Sequence, residues 1–208
     1  MSDFQYIEIL EQRTMGQIVE KTHYTVEEYL ALEQESDVKH EYINGVIYDM
    51  AGGTPAHSLV GTNTTRELGN SLKGKPCRVY NSDLALALSE SQYVYPDASI
   101  ICGPLQTFGI NKNAANNPIV IIEVFSPSTK GYDKRWKFRL YRQVPSFQQY
   151  VQISPDRVLV DVFTKVEDDL WRIASYWRLT DTVRLESVDA EIPMSEIYLG
   201  VDVQEEPE

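Results

Sequence analysis

Residues 118–129 read PIVIIEVFSPST, and in them one carboxylate, Glu123, interrupts the otherwise apolar run from Ile119 to Phe125. Such runs are typical of strands buried on both faces. Burying an ionised carboxylate there without a partner is costly, so Glu123 requires a cation, a set of donors, a metal or a proton.

A second acid lies in the strand-like stretch YVYPDASIIC. Counting by two puts Val94, Pro96, Ala98, Ile100 and Cys102 on one apolar face, and Tyr93, Tyr95, Asp97, Ser99 and Ile101 on the opposite, mixed face. Pro96 cannot donate to a sheet ladder, so the chain at Asp97 is expected at a strand start, edge or bulge, where side chains are re-aimed. If the two strands are neighbours, Asp97 and Glu123 lie side by side near their ends. Like charges that close push a proton onto one of them unless a divalent cation is shared. Mg²⁺ suits such a pair, because two carboxylates, a backbone carbonyl and water satisfy it. The competing reading pairs Glu123 with an internal arginine or lysine.

The elements that must position these acids follow from periodicity. TVEEYLALEQ has a capping-box spacing from Thr25 to Glu28 and an apolar helical face. EYINGVIYDM reads as a hairpin about Asn44-Gly45. PAHSLVGTNTTRELGNSLKG predicts a helix with Leu59, Val60, Leu68 and Leu72 as its stripe. Strands are expected at 78–88, 93–102 and 118–125, then a helix in DKRWKFRLYRQV, strands at 148–153, 157–164 and 170–177, and a brief closing helix at MSEIYLG. This order describes a mixed α/β or α+β domain around one central sheet. Residues 1–22 read as a tail or loosely attached strand, 23–200 as one domain and 201–208 as an acidic tail.

Composition narrows the function classes. The chain has 208 residues, 42% hydrophobic, enough for one substantial core. Its net charge of −12 is the wrong sign for general electrostatic attraction to nucleic acid. Locally, KGYDKRWKFRLYR carries six basic residues against one acid, either a basic face or a solvated helix surface. With only Cys77 and Cys102 and no CxxC pair, no disulfide framework or Cys/His zinc site is indicated, and a reducing cytoplasm fits. No leader or membrane-spanning run is evident, so a soluble cytoplasmic protein is expected.

The succession HEYINGVIYDM, YPDASIICG, IIEVFSPSTKGYDKRWKFRLY resembles the Uma2 family, formerly a domain of unknown function, within the PD-(D/E)xK nuclease superfamily. The likeness runs from about residue 24 to 165 and implies a restriction-endonuclease-like fold, a central mixed sheet flanked by helices. It also implies a homodimer, Mg²⁺ with Mn²⁺ as substitute, and hydrolysis of phosphodiester bonds in nucleic acid, DNA first. Carried over residue by residue, the superfamily aspartate falls on Asp97 and its second acid on Glu123, with the Val124 carbonyl completing the metal oxygens. The lysine slot two residues on holds Phe125. The family pattern instead matches a helix lysine at Lys137 and an acid at the head of the hairpin, Glu41. A long lysine stem can bring its ammonium to the same point from another backbone position. These residues then imply metal-assisted hydrolysis, with Lys137 positioning a water or offsetting charge and Glu41 orienting a water or holding a second ion. Read without the family, Lys137 is an ordinary helix-surface partner of Asp133.

Weaker candidates are His57, either a phosphate or metal-water contact or a polar residue at a helix start, and Asp83, either a further metal oxygen or a turn residue. Ser126, Ser128 and Tyr141 read as supports, the tryptophans as core or interface residues, and the cysteines as small hydrophobes. The alternative functions are a non-catalytic binding or regulatory module that retains the fold, for which Phe125 speaks, and a hydrolase of small phosphoesters.

Overall fold

A computed structural model describes residues 22–50, 52–125, 131–168 and 170–203, with backbone alone for 131–135. The expectations for most of the amino-terminal tail, for residues 204–208 and for Ser126 and Ser128 lie outside the described residues.

Helix α1, Val26–Glu35, begins on the capping box: Thr25 N–H donates to Glu28 at 2.8 Å and Glu28 N–H donates to the Thr25 hydroxyl at 3.3 Å. Its buried Tyr29 stacks on Tyr42, ring centroids 5.0 Å apart, and its hydroxyl donates to the His40 carbonyl at 3.0 Å. This fixes the base of the hairpin formed by β1, His40–Ile43, and β2, Val46–Asp49. The hairpin turns on Asn44 and Gly45, both at positive φ, 50° and 91°. Helix α2, Pro55–Ser71, is capped by Thr54, whose hydroxyl accepts from His57 N–H. Val60 and Leu68 are buried as expected, whereas Leu59, rotated about 100° from Val60 on the helix, is 38% exposed.

Two runs that read as single strands are each broken in two. The first gives β3, Cys77–Asn81, and β4, Ala85–Ser89; the second gives β5, Gln92–Val94, and β6, Ala98–Cys102. In both cases the chain crosses between sheets, at Ser82–Leu84 and at Tyr95–Asp97. The short β7, Ala114–Ala115, precedes β8, Val120–Val124, and helix α3, Gly131–Tyr141. Then follow β9, Gln149–Ile153, β10, Val160–Lys165, and β11, Trp171–Tyr176. The hairpin β12, Thr182–Leu185, with β13, Ala190–Pro193, leads into α4, Met194–Ile197.

The expected central mixed sheet has the order β11-β10-β9-β8-β6-β3, with β8 and β9 parallel. A second sheet, β2-β1-β5-β4-β7, carries the hairpin. One face of the central sheet packs on α2, α4 and β12–β13 through Val60, Ile100, Ile122, Ile192 and Met194. The other face packs on α3 and the second sheet through Ile43, Ile101, Ile121, Tyr141 and Tyr150. The face of β6 read as mixed is therefore also buried, and Ser99 is only 1% exposed. The crossing at Pro96 also switches faces, so Val94 joins Ile101 rather than Ile100.

The reading of the cysteines is corrected: Cys77 and Cys102 stand opposite each other on β3 and β6 and are disulfide-bonded. A sequence separation of 25 residues carries no sign of that register. Hairpin β12–β13 was not expected, although its alternation of buried Val183, Leu185, Ala190 and Ile192 with polar residues is a period-2 signal. Among the described residues no helix is long and apolar enough to cross a membrane.

At Gly45 an added Cβ would both meet the His23 ring and be held at positive φ. Gly45→Val is expected to cost about 2 kcal/mol and to lower the thermal midpoint by roughly 5 °C, read by circular dichroism.

Candidate metal and phosphate site

The site forms where the chain crosses between sheets. Ala98 pairs with Ile122 in the antiparallel β6–β8 ladder, so Asp97, one residue earlier, faces Glu123, one residue later. Because Pro96 and Asp97 have left the ladder, the Asp97 carboxylate takes over the role of a strand carbonyl: its Oδ2 accepts from Val124 N–H at 2.7 Å. In a strand the N–H and C=O of one residue point to the same side, so the Val124 carbonyl is directed toward Asp97 as well.

Glu123 is 4% exposed. Its Oε1 accepts from Lys137 Nζ at 3.3 Å and from the Tyr141 hydroxyl, one helical turn further along α3. Lys137 Nζ also donates to Glu41 Oε1 at 3.0 Å, and the same oxygen accepts from Tyr95 N–H at 3.3 Å. Glu41 lies on the same face of β1 as Ile43, turned toward α3. His57 Nε2 is 3.4 Å from Asp97 Oδ1. Its ring lies against Gly53, where an added Cβ would sit 2.6 Å from Nδ1. The segment GGTPAH is thereby explained: Thr54 and Pro55 start α2, and the bare backbone of Gly53 leaves room for the imidazole.

Electrostatics follow from burial. Desolvation pushes Glu123 up to about 7; Asp97 and Glu41 add to the rise, and Lys137 and Tyr141 oppose it. Burial alone would lower Lys137, but Glu123 and Glu41 outweigh it and hold the ammonium above the usual lysine value. Hydrogen bonding to Asp97 raises His57 against the effect of its own burial. Burial keeps Tyr141 well above the ordinary phenol value, so it is a hydrogen-bond donor at neutral pH.

The structure thus brings together Glu41, Asp97, Glu123, Val124 and Lys137, and adds His57 and Tyr141. Asp83 is placed elsewhere, in the β3–β4 turn, bonded to Lys39 at 2.5 Å. Of the basic run, Lys137 is turned inward while Arg139 and Arg142 face outward. Phe125 is 5% exposed and packs in the core. Gln152, paired with Glu123 across β8–β9, was not foreseen, although a glutamine inside the apolar YVQI run marks it.

The donor set fits a hard divalent cation. Oε1 of Glu123 and Oδ2 of Asp97 are taken by protein donors, which leaves Oε2 of Glu123, with Oδ1 of Asp97 and the Val124 carbonyl held by the His57 ring; all are oxygen, and a cation would share the last two with His57 or displace it. Among the described residues no group of three or more His, Cys, Asp or Glu gathers as a metal cluster. Mg²⁺ or Mn²⁺ needs none, since one or two carboxylates and waters suffice.

Because Glu123 keeps its proton in the folded chain up to about pH 7 but loses it near 4.5 when unfolded, folding binds a proton in that window. Stability therefore falls as pH rises through it and levels off above about 7. His57, also raised, acts in the same direction. From pH 5.5 to 8 the loss is expected to be about 2 kcal/mol, seen as a lower thermal midpoint without divalent cation, and Glu123→Gln should flatten it. Lys137→Met leaves Glu41 and Glu123 facing each other without a cation. It is expected to cost about 3–5 kcal/mol at pH 8, and less at pH 5.5, in chemical denaturation.

The Uma2 family model, described as "Putative restriction endonuclease", matches residues 26–195. Two proteins of Synechocystis, the uncharacterized slr1290 and sll1609, are 36% and 34% identical over 176 and 148 residues, covering 84% and 71% of this chain and 91% and 84% of their own lengths. A crystal structure described as a putative nuclease belonging to DUF820 from Anabaena variabilis has the same fold, with a TM-score of 0.67 at 18% identity over 84% of this chain and 97% of that one. With the family model spanning most of the chain and these relatives matching along nearly their whole length, this protein belongs to the Uma2 family.

Proposed function

We propose that the protein is a divalent-metal-dependent nuclease that hydrolyses phosphodiester bonds in nucleic acid. The observation that carries this reading is the convergence of Asp97, Glu123 and the Val124 carbonyl from adjacent strands, with the Lys137 ammonium 3.3 Å from Glu123. The family description and the nuclease title of the structural neighbour support it.

Each residue has a role that its contacts allow. Asp97 and Glu123 would hold the cation, and the hydrogen bonds from Val124 N–H, Lys137 and Tyr141 fix their orientation. The chemistry such a cation would supply there is polarisation of a phosphate oxygen and acidification of a water. Lys137, anchored between Glu41 and Glu123, offsets charge developing on the phosphate. It supplies from α3 the ammonium that the superfamily pattern places at position 125, so Phe125 does not by itself argue against chemistry. Glu41 restrains Lys137 through Oε1, and its second carboxylate oxygen would orient a water.

The experiment is cleavage of supercoiled plasmid, single-stranded DNA, RNA and a small phosphodiester with Mg²⁺ or Mn²⁺, paired with calorimetric metal titration. Cleavage that depends on the metal and falls by at least about 10³-fold in Glu123→Gln and Asp97→Asn is expected. Metal binding with no cleavage of any substrate would replace the nuclease with a binding module.

A further inference from the structure

The register across the central sheet extends the site in one direction. Glu123 pairs with Gln152 on β9, and Gln152 pairs with Asp161 on β10. Directly opposed residues share a face, so these side chains form a polar row leading away from Asp97. At about 4.8 Å per strand, Gln152 is one strand spacing from Glu123 and Asp161 two. Phe125, two residues beyond Glu123, lies on this face as well.

Where the parallel strands β8 and β9 end, a cavity of about 340 Å³ opens, lined by Phe125, Gln152, Ser154, Arg157, Leu159 and Asp161 among others. The carboxyl ends of parallel strands are the usual ligand position in α/β sheets. Its chemistry is mixed in a particular way. Phe125 and Leu159 give apolar surface, Gln152 carries both a donor and an acceptor, Arg157 carries guanidinium donors, and Asp161 carries a second carboxylate oxygen beside the one that accepts from the Ser175 hydroxyl at 2.6 Å. A seat for phosphate alone has no use for a carboxylate. The edge of a planar heterocycle can use the donors and acceptors together, and its face the apolar surface.

We propose that this cavity receives an unpaired nucleobase next to the scissile phosphate, so that the substrate is a single strand or a frayed strand end. This rests on the nuclease reading and gives it a substrate class. It also accounts for Phe125: with the ammonium supplied by Lys137, position 125 is released to form a wall of the pocket. Net charge agrees, since a chain at −12 gains little from long-range attraction to a phosphate backbone and must recognise its substrate at short range. A base in duplex must be unstacked and unpaired before it can enter such a pocket, whereas in a single strand it is accessible at much lower cost.

The test is binding to cleavage-deficient Glu123→Gln protein with Ca²⁺, using DNA and RNA oligonucleotides that carry 2-aminopurine, each as single strand and as blunt duplex. The single strand is expected to bind at least about tenfold tighter, with a change in 2-aminopurine fluorescence. Gln152→Ala and Phe125→Leu, made in the same background, should each weaken it by about tenfold. Made in the wild-type chain, they should leave Mn²⁺ affinity by calorimetry intact. The DNA and RNA arms decide which strand is taken. If wild type binds Mn²⁺ and cleaves but duplex binds as tightly as single strand, or Gln152→Ala and Phe125→Leu change nothing, the base pocket is wrong and the nuclease stands. If wild type neither binds the metal nor cleaves, and the oligonucleotides are not bound, both readings fall.

Discussion

The carboxylate of Glu123, sealed inside a strand, is the constraint to which the rest of this structure answers. Placed among Val120, Ile121, Ile122 and Val124, it cannot be hydrated, so neighbouring elements must supply what water would. Helix α3 does this with Lys137 and Tyr141, which project from successive turns onto one oxygen. Lys137 is itself too enclosed to stand beside a single acid at low cost, and Glu41 on the hairpin joins it. The hairpin is held in turn by Tyr29 and its stacking on Tyr42 and Tyr93. Each burial creates a need that the next element meets, and the chain of needs ends at the capping box of α1.

The second organising device is the interruption of strands. Had β5 continued straight into β6, Asp97 would have been one more ladder residue, its backbone bonded to β8. Pro96 prevents this, and the Asp97 side chain bonds Val124 N–H instead. The same crossing switches which face is buried, so the acid lands beside Glu123 and opposite His57. One structural break thus delivers both the position and the orientation of the aspartate.

Much of this was legible in the chain. The capping box, the Asn-Gly hairpin, the extents of α2 and α3 and the outlier status of Glu123 are local signals, and local signals survive in a sequence. Pro96 announced a departure from the ladder. What stayed hidden depends on long-range register. Nothing near Cys77 tells that Cys102 will face it, and nothing near His57 tells that its ring will meet Asp97 rather than solvent. The run at 78–88 looked like one strand because both halves are apolar, and only the packing of two sheets decides that it must turn at Ser82–Leu84. Lys137 is the instructive case. Helical spacing alone made it a surface partner of Asp133; family likeness alone turned it inward, where the contacts with Glu41 and Glu123 are found.

The inward-facing groups come from β1, the β5–β6 crossing, β8 and α3, so their sequence positions run from Glu41 to Tyr141. During synthesis, Glu123 leaves the ribosome before α3, whose Lys137 pairs with it, and β9, which flanks β8, comes later still. A nascent or truncated chain therefore cannot hold the acids in their working arrangement, and whatever chemistry they perform begins only once translation has passed well beyond them.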